Sequence, residues 1–358
     1  MEQIYIIMLI ALAILAITDL MVGVSNDAVN FLNSAIGSQA VSFRTIMIVA
    51  SIGVAVGALY SNGMMEIARN GIFTPSMFSF NDVIVIFLAV MITDVLLLDI
   101  FNSLGLPTST TVSIIFSLLG ASVALTVYKI YVNDGDFNTL SNYINTEKAT
   151  EIVYSILLSV ALSFALGTLV QYVSRLIFTF HIESRYKYVG ALFGGIAMTA
   201  ITFFILVKGL KSITFVPSEI KDFIKDSPFT IIAYSFLLWT TVCQLLISVF
   251  KYSIFKFIII VGTFGLALAF AGNDLVNFIG VPIAAFQAYE IWSAPGQTLG
   301  ASEFMMSGLE KENLPAPFIF LALAGTIMVY TLWTSKKAKA VIETEQNLSR
   351  QGEGNEKY

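Results

Sequence analysis

Apolar runs long enough to cross a lipid bilayer recur from one end of this chain almost to the other. A hydrocarbon core of roughly 30 Å takes about 20 residues of helix. Such runs stand at 3–20, 44–64, 83–102, 109–128, 152–172, 188–208, 230–250, 254–271 and 316–334. Each is read as a spanning helix, so the expected fold class is an all-α integral membrane protein with the lipid bilayer as its solvent. Composition agrees, because only 12% of the 358 residues are charged where a soluble domain carries roughly a quarter. A formal net charge of −5 gives no reason to expect a nucleic-acid partner. The single cysteine, Cys243, excludes an intramolecular disulfide and any cysteine-based metal cluster. The N-terminus turns apolar directly after Met1-Glu2-Gln3, with neither a basic leader nor a small-residue cleavage site, so the first run is expected to be a retained helix.

Basic residues set the expected orientation. Arg175, His181, Arg185 and Lys187 cluster in one connection, and Lys336, Lys337 and Lys339 open the tail. Short basic segments stay in the cytoplasm. Counting spans from there also puts Lys251 and Lys256 inside, with the N-terminus and the polar stretch 129–150 outside. Lys208, Lys211, Lys221 and Lys225 fall on the outer side, interspersed with Glu219, Asp222 and Asp226. The expected divisions are a first transmembrane repeat at 1–130, an extracellular loop at 131–150 and connecting helices at 151–250. The start of a second repeat follows at 251–335, then a polar cytoplasmic tail at 336–358. The protein is expected in the cell's inner (plasma) membrane.

The repeat is carried by a motif. Gly23-Val24-Ser25-Asn26-Asp27-Ala28-Val29-Asn30-Phe31 and Ala271-Gly272-Asn273-Asp274-Leu275-Val276-Asn277-Phe278 share Asn-Asp-x-Val-Asn-Phe, five matches in six positions. Each copy ends an apolar run. A carboxylate at membrane depth costs at least ~2.5 kcal/mol on insertion scales, so it is placed there with a partner or a cation. On a helix the asparagine at +3 shares the aspartate's face. Asp27 with Asn30, and Asp274 with Asn277, therefore offer hard oxygen ligands suited to a small cation such as Na⁺. Gly23 and Gly272 are expected to mark helix breaks that expose backbone groups. In the expected topology the first copy follows an inward-running span and the second an outward-running one. That inverts the copies about an axis in the membrane plane, the arrangement of many secondary transporters. The plainer reading, an Asn-Asp helix cap, suits one copy better than two matched ones.

A second element is Leu106-Pro107-Thr108-Ser109-Thr110-Thr111-Val112-Ser113, with four consecutive hydroxyls from Thr108 to Thr111. Pro107 favours a helix start directly after it. Hydroxyls and free backbone N–H groups at a helix N-terminus make a site for an oxyanion, although an ordinary Ser/Thr cap has the same appearance. A third is Glu66-Ile67-Ala68-Arg69-Asn70-Gly71, where Glu66 and Arg69 are spaced to pair on a helix face; an interfacial salt bridge and a gating role both remain open. Asp19, Asp94 and Asp99 lie within apolar runs and offer a polar face or a proton path. His181 is expected at the surface, and Cys243 to be inert.

Together these motifs resemble the inorganic phosphate transporter (PiT) family, whose signature is a duplicated Gly-x-Asn-Asp-Val-x-Asn-type motif with a Pro-x-Ser-Thr-Thr hairpin in each half. Glu66-x-x-Arg69-x-Gly71-Ile72 resembles a further stretch of that family. The resemblance implies symport of phosphate with Na⁺ or H⁺, no other cofactor, and an inverted-repeat bundle with interrupted helices and a re-entrant Ser/Thr hairpin, often dimeric. It further implies that Asp27, Asn30, Asp274 and Asn277 surround the cation sites, while Asn26, Asn273, Ser109, Thr110 and Thr111 meet the phosphate. The chain departs from the pattern in two places. Val24 and Ser25 separate Gly23 from Asn26 where the family has one residue, and no second Pro-x-Ser-Thr-Thr sequence is present. The simplest expectation is that the natural chain continues past Tyr358. A sulfate permease is the close competitor, since hydroxyls alone do not separate two tetrahedral oxyanions. A channel suits paired carboxylates in inverted repeats less well than a carrier does. An enzyme acting on phosphorylated lipid would need a nucleophile with its base, or a metal cluster; neither is visible, and the chain is expected not to be an enzyme.

Overall fold

The computed structural model describes residues 2–59, 61, 71–132, 136–178, 182–209, 218–294, 298–310 and 316–348. Its helices are α1 (Glu2–Ser38), α2 (Phe43–Leu59), α3 (Phe80–Leu104), α4 (Thr110–Val132), α5 (Leu140–Tyr143), α6 (Thr146–Phe178), α7 (Ile182–Gly209), α8 (Ser218–Asp226), α9 (Pro228–Ser248), α10 (Ile254–Trp292), α11 (Phe318–Thr334) and α12 (Lys336–Leu348). Among the described residues seven helices are long and apolar enough to cross a membrane, and α11 with α12 forms a pair bent by 66°. Among the described residues every apolar run of the sequence is helical.

α1 and α10 overrun their expected limits the furthest. α1 and α10 pass unbroken through the Asn-Asp motifs, so Gly23 and Gly272 do not interrupt them. At 37 residues α1 is about 55 Å long, well beyond the hydrocarbon thickness. The polar motif reads as the end of a span only when the segment is taken alone. Within the bundle its residues are covered by other helices, with Val24, Ala28 and Asn26 all fully buried. Gly23 serves packing instead. A Cβ built there would lie 2.1 Å from the Phe278 ring, so its bare backbone lets the two motif helices meet. Among the described residues the bent apolar pair is α11 with α12.

α1 and α10 run antiparallel. Gly23 meets Phe278, Asp27 and Asp274 open on one cavity, and Phe31 stacks on Phe270 at 4.8 Å between centroids. As the number on one helix rises by four, the number on its partner falls by four. Around this pair one apolar cluster gathers α2, α11 and α12, and another gathers α3, α4 and the C-terminal half of α10. A third, smaller cluster joins α7, α9 and the start of α10 around Cys243.

The helix ends sort into two sets. Tyr5, Asn81 and Trp292 come together through a hydrogen bond and ring contacts, and Lys129 pairs with Asp82 nearby at 2.7 Å. At the other end of α3, Lys337 of α12 bonds Asp99 at 2.6 Å. Two stretches expected to be loop or solvated tail are more ordered than that. α4 continues to Val132, and α5 contributes the Tyr143 carbonyl to Thr74 N–H (2.9 Å). Residues 336–348 form α12, whose Ala338, Val341 and Ile342 are buried. Their i, i+3, i+4 spacing is a helical stripe short enough to be masked by the surrounding charge.

Candidate functional site

The connection from α3 to α4 brings the site together. α3 ends at Gly105, whose φ of 68° is left-handed and therefore suits a residue without a Cβ. Pro107 then precludes further helix, and α4 opens at Thr110. Ser109 Oγ accepts from Val112 N–H at 3.3 Å and its carbonyl accepts from Ser113 N–H at 3.0 Å, so Ser109 caps α4 while its own O–H stays free to donate. The first N–H groups of a helix have no intrahelical acceptor, which leaves donors at Thr110 and Thr111 on the same turn.

Both motif copies converge on this turn. Thr110 Oγ1 donates to Asp27 Oδ2 at 2.8 Å, and Asn30 Nδ2 donates to Asp27 Oδ1 at 3.2 Å. In the other copy Asn277 Nδ2 donates to Asp274 Oδ1, again at 3.2 Å. It also reaches Thr111 Oγ1 at 2.9 Å, which itself lies 3.5 Å from Asp274 Oδ1. Each carboxylate thus holds its +3 asparagine in the same geometry and takes one hydroxyl from adjacent positions of α4. Asp27 is 3% exposed and Asn277 5%; Asp274 and Thr111 are half-buried and Asn30 is exposed.

These groups enclose a cavity of about 300 Å³ lined by Asp27, Asn30, Pro107, Thr108, Ser109, Thr110, Thr111 and Asp274. Its lining carries two carboxylates and no Lys or Arg among the described residues. An anion entering alone would face two like charges in surroundings where charge is poorly screened. The same oxygens attract a hard cation. The cavity is therefore suited to cation and oxyanion together, and poorly suited to an oxyanion by itself.

Asn26 lies outside that lining. Its Nδ2 donates to Asn102 Oδ1 (2.8 Å) and to the Leu106 carbonyl (3.0 Å), and its Oδ1 accepts from Thr108 N–H (2.7 Å). Asn102 in turn donates to the Val22 carbonyl at 2.7 Å. With every polar atom engaged, Asn26 acts as a clamp on the α3–α4 turn and presents no free donor to a ligand. Asn273 is half-buried and makes no side-chain hydrogen bond among the described residues. Glu66 and Arg69 lie outside the described residues. Sequence reasoning passed over Asn102, although an asparagine closing the apolar run 83–102 was a visible signal. It also left Ser113 without a partner, which the structure supplies in Asp94.

The chain is similar to known proteins in sequence and in fold. A model of the phosphate transporter family matches residues 23–344. A Thermococcus kodakarensis protein named as a phosphate permease is 24% identical over 325 residues, covering 84% of this chain and 68% of that protein. A solved structure titled as the sodium-dependent phosphate transporter superposes with a TM-score of 0.67 at 20% identity, covering 95% of this chain and 78% of that one. At that identity the superposition speaks for the fold alone.

Proposed function

The chain belongs to the phosphate transporter family, and from that premise we propose that it carries inorganic phosphate across the membrane by symport with Na⁺. Asp27, Asn30, Asp274 and Asn277 hold the cation, and the Ser109 hydroxyl with the backbone N–H groups of Thr110 and Thr111 holds the phosphate. The carrying observation is the cavity shared by both Asn-Asp copies, whose lining includes two carboxylates and no described basic side chain. Phosphate there needs cations to offset the repulsion, which gives coupling a physical cause. The sodium dependence of the solved relative supports the choice of ion. Asn26 holds the α3–α4 turn in place.

The antiparallel pairing of α1 and α10 supports reading 1–130 and 251–335 as inverted repeats. Such repeats rock about a central site to give alternating access. Lys337 of α12 pairs with Asp99 at one end of α3, and with the basic tail taken as cytoplasmic this supports a reading with the N-terminus outside. In cells expressing Asp27→Asn or Asp274→Asn, phosphate uptake is expected to be lost while expression persists; near-normal uptake in both variants would sink the assignment. Unlabelled sulfate should leave labelled phosphate uptake unchanged, and strong competition would favour a general oxyanion permease instead.

A further inference from the structure

Beneath the first turn of α4, Asp19 of α1 and Asp94 of α3 are both 0% exposed. Their carboxyl groups lie within hydrogen-bonding reach of one another. Ser113 donates to Asp94 Oδ1, but both oxygens of Asp19 and Oδ2 of Asp94 meet no hydrogen-bond donor among the described residues. We propose that this pair is a proton-binding site, with one proton shared between the two carboxyls.

Two bare carboxylates cannot both remain ionised side by side in an enclosed, apolar setting. Like charge and burial each disfavour the second negative charge, and membrane depth adds to the cost. No described basic group relieves them. On α3 itself, Asp99 is occupied by Lys337 of α12, and on α4, Lys129 is occupied by Asp82. Arg44 lies exposed at the start of α2, and α11 carries no charged residue. The remaining charges facing the pair are Asp27, two turns further along α1, and Asp274 beyond it, which add repulsion. A shared proton makes one carboxyl an O–H donor to the other and satisfies two of the three orphaned oxygens. A metal ion fits less well, because hard cations collect several oxygens and Ser113 Oγ is the one neutral side-chain oxygen seen bonded to the pair.

Ser113 links this pair to the anion cavity. Together with Thr108 and Ser109 it lines a groove of about 580 Å³ between α3 and α4. A rearrangement of the α4 start that admits or releases phosphate therefore also alters the hydrogen bond held by Asp94. We infer that the proton exchanges during the transport cycle. This second step rests on the phosphate-transport reading, whereas the shared proton does not.

Infrared difference spectroscopy of the full chain in proteoliposomes tests the site. A D₂O-sensitive carbonyl stretch of a protonated carboxyl is expected at neutral pH, with the same component missing from Asp19→Asn and from Asp94→Asn. Spectra of both variants superimposable on wild type would overturn the proposal. If a variant fails to fold, Ser113→Ala reads the pair in its place, since losing that hydrogen bond shifts the component, and an unshifted band would count against the site. For the coupling step, phosphate uptake is compared with and without an inside-alkaline pH gradient. The wild-type ratio exceeds one and falls to one in both Asp variants; a wild-type ratio in the variants would overturn proton exchange. Absence of wild-type phosphate uptake would instead refute the transport reading, and leaves the infrared result to stand on its own.

Discussion

Thr110 and Thr111 are neighbours in sequence, yet each serves the carboxylate of a different motif copy. Hydrogen bonds to charged groups are worth about 1.5–3 kcal/mol, so replacing either hydroxyl by a methyl should be costly. Thr110→Val is expected to raise the Na⁺ concentration for half-maximal uptake about ten-fold or more, while Thr110→Ser stays near wild type; Na⁺ titration of phosphate uptake checks both. Asn26 gives a different outcome. Asn26→Ala takes the partner from the half-buried Thr108 N–H and from the buried Asn102 Oδ1, at about 1–3 kcal/mol. It should lower the melting temperature in detergent, and the loss of uptake should follow the loss of folded protein. A variant with wild-type stability and no uptake would return Asn26 to the ligand set. At this scale the sequence was most informative where residue type and spacing coincide, as at Asp27 with Asn30. It was silent on Asn26, because a clamp and a ligand are the same residue until the backbone it touches is known.

Among the elements, α1 and α10 show why span limits read from hydropathy fall short. A hydropathy window ends where polar residues begin, yet those residues lie mid-helix because the facing helix covers them. The same packing makes Gly23 testable. Gly23→Val drives a side chain into Phe278, and overpacking of this kind costs about 1–3 kcal/mol. The melting temperature should fall and partly recover in the Gly23→Val/Phe278→Ala double variant, where a purely additive loss would contradict the contact. α12 is the converse case, a helix hidden by its own charges. Val341→Asp should release it from α1 and speed proteolytic cleavage after Ser335 several-fold, while an unchanged cleavage rate would mean that its docking does not depend on this stripe.

On the scale of the whole molecule, nine apolar runs and a twice-written motif were enough to foresee an all-helical membrane protein of this family. The meeting of the two copies was not legible, since nothing in either copy states that both face a single turn of α4. That convergence gives the account its central claim, one site in which phosphate depends on cations held by both halves of the chain. The most direct measurement is phosphate accumulation in proteoliposomes with and without an inward Na⁺ gradient, at equal pH on both sides. Wild type should accumulate phosphate only with the gradient, and Asp27→Asn and Asp274→Asn should each abolish that accumulation. Gradient-independent accumulation, or a gradient effect that survives in either variant, would contradict it.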